Sequence, residues 1–256
     1  MSPDRYLRSF DVLGLLVQHK GGLRLTEIKE ALGLPVSSAH NMLQTMVAAE
    51  MLAVNDDLQY SIGPRAAGVA LSIVSSLDVR TLARRHLLDL AKAVGDDVYL
   101  GMSLGQRVFY ADRCMGTQRI SLDIRLGESL FLHSTATGKL FAAFDPRLAS
   151  RALSGPLKKL TANTIVEPQA LDAEFKRIRS QGYAKSDEEG VDGIVGYAVP
   201  IRQAAGPLAA AIHVSVIGRR ATKSHERKLI VAARGCAEQV ERSLGNFKPQ
   251  PQAAIH

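Results

Sequence analysis

From Tyr6 to Gln18 the apolar residues Leu7, Phe10, Leu13, Leu16 and Val17 recur at helical spacing, and His19-Lys20-Gly21-Gly22 breaks the run. Thr26 can cap a short second helix with Ile28, Ala31 and Leu32 on one side, and Gly33 suits its left-handed end. A third helix starts at once, because Pro35 already holds φ near the helical value. Its apolar stripe is Ala39, Leu43, Met46 and Val47, while Ser37, Ser38, His40, Asn41 and Gln44 face elsewhere. Two helices joined by so tight a turn, the second with a small polar leading face, meet the requirement of a helix-turn-helix for entering the major groove. Leu52, Val54, Leu58, Tyr60 and Ile62 then alternate as two short strands around an Asn55-Asp56-Asp57 turn, which adds a wing.

After the wing, Gly63-Pro64 precedes an Ala-rich helix from Arg65 to Ser76 with Ala66, Val69, Ala70 and Ile73 on one face. It reads as a linker helix, able to pair with a second copy or to pack on its own chain. From Asp78 a longer helix presents Val79, Leu82, Ala83, Leu87, Leu90, Ala91 and Val94 and ends at Gly95. Its other face, with Arg80, Arg84, Arg85, His86 and Lys92, reads as solvated. The period then changes to two. Val98 to Leu104 and Val108 to Tyr110 form a hairpin about Gly105-Gln106, and Ile120, Leu122 and Ile124 suggest a third strand. Helices are expected at Thr137 to Phe144 and Pro168 to Gln181, strands at Ile194 to Arg202 and Leu208 to Val216 around Ala204-Ala205-Gly206-Pro207, and a last helix at Ser224 to Leu244. The expected fold class is α+β: a winged helix-turn-helix over residues 1–64, a linker helix over 65–77, and a domain with an antiparallel sheet over 78–246. The Pro-, Gln- and Ala-containing tail, 247–256, is expected to be disordered.

Composition limits the function classes. A chain of 256 residues with 46% hydrophobic residues has room for two ordinary domains. No stretch reaches the roughly 18 uninterrupted apolar residues of a membrane span, and the N-terminus lacks a secretion-signal layout, so a cytoplasmic location is expected. Cys114 and Cys236 are the two cysteines, with no CxxC, and read as ordinary thiols outside any disulfide or zinc framework. Asp187-Glu188-Glu189 reads as a solvated turn, and no GxSxG, P-loop or HExxH is present. No cofactor, metal or enzymatic activity is therefore expected. The net charge of +7 does not reach the reader: residues 1–65 hold six bases and seven acids. Any contact with DNA must rest on the motif and on Arg8, Lys20 and Arg24 placed near phosphates.

Ser37, Ser38, His40 and Asn41 can contact base edges or phosphates, with Gln44 one turn on, although Ser37 also suits a helix cap and His40 can simply cover the core. Arg8, Arg24, Thr26 and Val36 complete the candidate DNA-facing set. His133 begins a short helix, where backbone groups or a ligand could satisfy its ring. The amides at about Ala136 to Gly138 can hold an anion without a charged side chain, a physical reason to expect a carboxylate ligand. His213 and Ser215, two apart on a strand, share a face and form either a polar pair in an apolar cavity or a structural pair.

With these residues laid out, the chain resembles the isocitrate-lyase-regulator (IclR) family of bacterial transcription factors. The likeness runs through Leu25-Thr26-Glu27-Ile28, Leu32 to His40, Tyr60 to Arg65, Leu132 to Lys139, Ile178 to Ala184, Ser186 to Glu189 and Gly193 to Ile201, in the family's order. The resemblance implies a dimer or tetramer on a palindromic double-stranded DNA operator, acting as repressor or activator, with a GAF-like C-terminal domain that binds an organic or aromatic acid. It places Leu122 and Leu130 as apolar wall, Ala136 and Thr137 as backbone meeting a carboxylate, and Ser186 or Asp187, Ile194, Gly196, His213 and Ser215 on the far side. Many relatives carry a basic residue at the positions of Val36 and Asn41, Cys at that of Gly196 and often Ser at that of His213. Either an unusual operator or a lower affinity for it is implied, and an effector that cannot be copied from well-known members. The competing reading is a small-molecule-binding protein whose winged helix contacts a protein partner.

Overall fold

A computed structural model describes residues 3–75, 78–118, 124–203 and 208–246. Leu122, most of the expected third strand, the 204–207 turn and the 247–256 tail lie outside these residues; Ile124 is described and lies in no strand. The chain divides into two compact units, Met1–Leu77 and Asp78–His256.

The first unit contains α1 (Pro3–Val17), β1 (Leu23–Arg24), α2 (Leu25–Ala31), α3 (Val36–Ala48), β2 (Leu52–Val54), β3 (Gln59–Ile62) and α4 (Pro64–Ser75). Val12 and Leu16 of α1, Ile28 of α2, Ala39, Met42, Leu43 and Met46 of α3, and Leu52 and Tyr60 of the wing form one buried cluster. Gly33 holds φ at +61° between α2 and α3, a conformation costly for other residues. Two details differ from the sequence reading. Thr26 is not a cap: Leu23 and Arg24 pair with Tyr60 and Gln59, Arg24 takes the cap position two residues earlier, and Glu27 Oε2 accepts the Arg24 amide at 2.7 Å. Leu58 is not in a strand. It sits in the wing turn with φ at +57°, where the Asn55 carboxamide organises the loop by accepting the Gln59 amide at 2.8 Å.

The second unit contains α5 (Asp78–Val94), β4 (Asp97–Leu104), β5 (Arg107–Cys114), α6 (Ala136–Phe144), α7 (Pro146–Ser154), α8 (Pro168–Gln181), β6 (Ala184–Asp187), β7 (Ile194–Ile201), β8 (Ala210–Ile217) and α9 (Lys223–Asn246). The antiparallel sheet runs β5-β4-β8-β7-β6. Strand alternation divides its two faces unequally. Val195, Tyr197, Val199 and Ile201 of β7, with Ile212, Val214 and Val216 of β8, pack with α5 and α9 in one cluster. On the other face, between Ile194 and Pro200 of β7, the positions are small or polar: Gly196 and Ala198 on β7, Ala211, His213 and Ser215 on β8. Ala198 and Ala211 pack with α6, α7 and α8 in a second cluster. Each large side chain buried on the first face contributes about 1.5–3 kcal/mol, whereas the small residues opposite leave room. Sequence reading missed α7 and β6. It also took the basic face of α5 as solvated, yet Arg84 and Arg80 pair with Asp112 of β5, itself only 2% exposed.

Candidate functional site: a polar helix edge and a cavity

In the first unit α3 turns Ala39, Met42, Leu43 and Met46 inward, and the helical period therefore leaves Ser37, Ser38, His40, Asn41 and Gln44 exposed along one edge. Val36 at the helix start is 57% exposed. Thr45, also exposed, bonds back to the Asn41 carbonyl at 2.8 Å and so leaves the Asn41 carboxamide unengaged by that hydroxyl. Arg8 on α1, Arg24 at the head of α2, Thr26 and Lys20 are likewise exposed. The edge offers hydroxyl, imidazole and amide groups and carries no acid, the chemistry that base-edge contacts in a major groove use.

In the second unit a cavity of about 300 Å³ lies between the small-residue face of the sheet and the start of α6. Leu130, Ala136, Ser186, Ile194, Gly196, His213 and Ser215 line it, as the resemblance implied. Thr135 Oγ1 accepts the Gly138 amide at 3.0 Å and the Thr135 carbonyl accepts that of Lys139 at 2.9 Å, so the Ala136 and Thr137 amides precede the first bonds of the helix. Two further polar atoms in the wall, Ser134 Oγ and His213 Nδ1, are buried without a hydrogen-bond partner among the described residues. Burial lowers His213 to about 3, so its ring is neutral near pH 7.

Three expected residues do not line the cavity. Thr137 is fully buried because its methyl packs over Gly101 of β4 and its hydroxyl donates to Tyr110 Oη at 3.3 Å. His133 is satisfied by the Lys158 carbonyl at 2.9 Å from Nε2, stacks edgewise on Phe131, and lines a neighbouring cleft instead. Asp187 follows Ser186 on β6, so alternation turns it outward to Lys185 at 2.8 Å. Sequence reasoning missed Tyr110, Ile124, Phe131, Ser134, Thr135, Leu160, Gly190 and Val191. Strand alternation could have placed Tyr110; Leu160, Gly190 and Val191 come from loops, which carry no periodic signal.

The loop after β6 corrects a second reading, since Glu189 is not solvated. Lys139 of α6 is fully buried, and its Nζ lies 2.6 and 2.8 Å from the Glu189 carboxylate and 3.1 Å from Glu174 of α8. Burial would raise Glu174, but Arg177 and Lys139 outweigh it and hold that carboxyl below its ordinary value. Burial pushes Glu189 up against the pull of Lys139. The carbonyl of Glu189 also accepts from Thr164 Oγ1 at 2.7 Å, which pins the segment leading to Gly190 and Val191 in the cavity wall. Among the described residues no His, Cys, Asp and Glu group is arranged to hold a metal.

A winged helix-turn-helix on one unit, together with a second unit that holds a cavity, points to a DNA-binding transcriptional regulator as the class of protein. Comparison with known proteins gives the family. Residues 7–56 match the IclR helix-turn-helix domain and residues 71–242 match the bacterial transcriptional regulator IclR C-terminal domain. The chain therefore belongs to the IclR family of transcriptional regulators, which are not enzymes. It is 31% identical over 245 residues to the glycerol operon regulatory protein of Streptomyces coelicolor, covering 93% of this chain and 95% of that one. The Thermotoga maritima IclR crystal structure superposes with a TM-score of 0.78 at 29% identity, over 95% of this chain and 100% of that one. An IclR homologue from Microbacterium hydrocarbonoxydans, crystallised with 4-hydroxybenzoate, shares the fold with a TM-score of 0.83 at 22% identity, over 95% and 98% of the two chains.

Proposed function

We propose that this regulator binds a palindromic operator beside a catabolic operon as a symmetric dimer or tetramer, and that a small organic or aromatic carboxylate in the cavity changes its hold on that operator. The observation that carries the effector's class is the start of α6, where the Ala136 backbone meets an otherwise largely apolar cavity wall. On the DNA side Ser37, Ser38, His40, Asn41 and Gln44 face the base edges, with Arg8, Arg24, Thr26 and Val36 beside the backbone. Self-association is supported by exposed apolar side chains in the first unit, Leu7 at 62% and Phe10 at 72% on α1, Val69 at 49% and Leu71 at 68% on α4. The effector acts only through its unequal affinity for two arrangements of the protein.

A gel shift at several salt concentrations, with DNA from upstream of the gene and a panel of carboxylates, tests this reading. Specific binding with a shallow salt slope is expected, because the reader offers few bases. Joint replacement Ser38→Ala and Asn41→Ala should lower operator affinity at least tenfold while carboxylate binding persists. Folded protein that shows no specific shift at low salt would refute the operator, and an operator complex indifferent to every carboxylate would refute the effector class.

A further inference from the structure

Gly196 and His213 are neighbours across β7 and β8 on the cavity face of the sheet. A Cβ added at 196 would lie 2.7 Å from His213 Cε1, 3.5 Å from His213 Nε2 and 3.5 Å from Ala136 Cβ. The imidazole therefore fills the volume that any side chain at 196 would need, and it sits beside the first residue of α6. Tyr99 and Tyr110 pack against it, with ring centroids 5.8 and 5.1 Å away. The ring is 5% exposed, and its Nδ1 makes no hydrogen bond among the described residues. A neutral imidazole has one N–H and one bare nitrogen. Leaving a buried acceptor bare is the commoner compromise in proteins, which puts the hydrogen on Nε2. That nitrogen and Ala136 Cβ each lie 3.5 Å from the place a Cβ at 196 would take, and Ser134 Oγ in the same cavity wall has no hydrogen-bond partner among the described residues.

We propose that His213, seated in the space Gly196 leaves empty, is the specificity-determining donor of this cavity: its Nε2–H binds one oxygen of the effector's carboxylate while the Ala136 amide at the start of α6 takes the other. The proposal rests on the carboxylate reading above and extends it. A ligand must present a carboxylate, since a carboxamide would set its own N–H groups against donors. Residue 196 must stay Gly for as long as 213 is His, so the two positions act as one determinant.

The test uses the full chain. Thermal shifts are measured with benzoate, 4-hydroxybenzoate and pyruvate, each against its uncharged carboxamide, and any binder is then titrated by calorimetry into wild type, His213→Ala, His213→Asn and His213→Gln. At least one carboxylate should bind and its carboxamide should not. His213→Ala and His213→Asn should weaken the carboxylate tenfold or more, and His213→Gln, whose longer amide keeps a donor in reach, should recover part of the loss. Unchanged affinity in both shortened variants overturns this proposal and leaves the carboxylate reading standing; no shift from any of the three carboxylates overturns both. A ligand-free arm tests the seat itself. Gly196→Ala should lower Tm clearly with His213 in place and much less in the His213→Ala background, and equal losses in the two backgrounds overturn the interlock.

Discussion

Replacing Lys139 by Met keeps a long flexible stem in the core and removes the ammonium that two buried carboxylates face. In the variant Glu174 still has Arg177, at 2.7 and 2.8 Å. Glu189, 7% exposed, keeps the Asp187 amide at 3.2 Å as its side-chain contact among the described residues. Deleting one partner of a buried pair costs about 3–5 kcal/mol, because the remaining charge is neither solvated nor balanced. For a unit of this size each kcal/mol moves Tm by about 2–4 °C, so Lys139→Met should melt roughly 6–20 °C below wild type. Joint replacement Lys139→Met and Glu189→Leu should recover most of the loss, since an apolar pair of similar volume needs no solvent. Scanning calorimetry near neutral pH reads both. Burial already pushes Glu189 up, so protonation offers the single variant a partial escape, and its deficit should shrink as pH falls. A Lys139→Met protein that melts with wild type, or a double variant no more stable than the single, would refute the view that this network holds the cavity wall.

Three further outcomes are expected. His213 is lowered to about 3 by burial, so between its unfolded value and there the unfolded chain holds a proton that the folded one lacks. Stability should then fall with pH by up to about 1.4 kcal/mol per unit below roughly 6.5, a slope that urea midpoints should show flattened in His213→Ser and that an unchanged slope would contradict. Gly63→Ala should destabilise the winged unit by about 1–3 kcal/mol, because the new Cβ would lie 2.7 and 2.8 Å from backbone atoms of Leu52; circular-dichroism melts that match wild type would rule out that clash. Ile194→Trp, placed in a cavity of about 300 Å³, should abolish the thermal shift given by any ligand that stabilises wild type, and a retained shift would move the site elsewhere.

Local order was readable wherever one residue's conformation or one helical period decides it. Gly33, Gly95, Gly105 and Gly182 hold φ between +59° and +77° at the breaks where the sequence suggests them. The α3 stripe follows from spacing alone, and with it the exposed edge from Ser37 to Gln44, because a helix that buries one side must show the other. Periodicity says which face of an element is turned inward; it does not say what lies opposite. The cavity exists because Gly196, Ala136 and His213 from separate elements meet where large residues are missing, and because loop residues such as Leu160 and Val191 close it. Lys139 and Glu189, 50 residues apart, read as a helix position and a wet turn until tertiary packing removes water from both and leaves each charge as the other's partner.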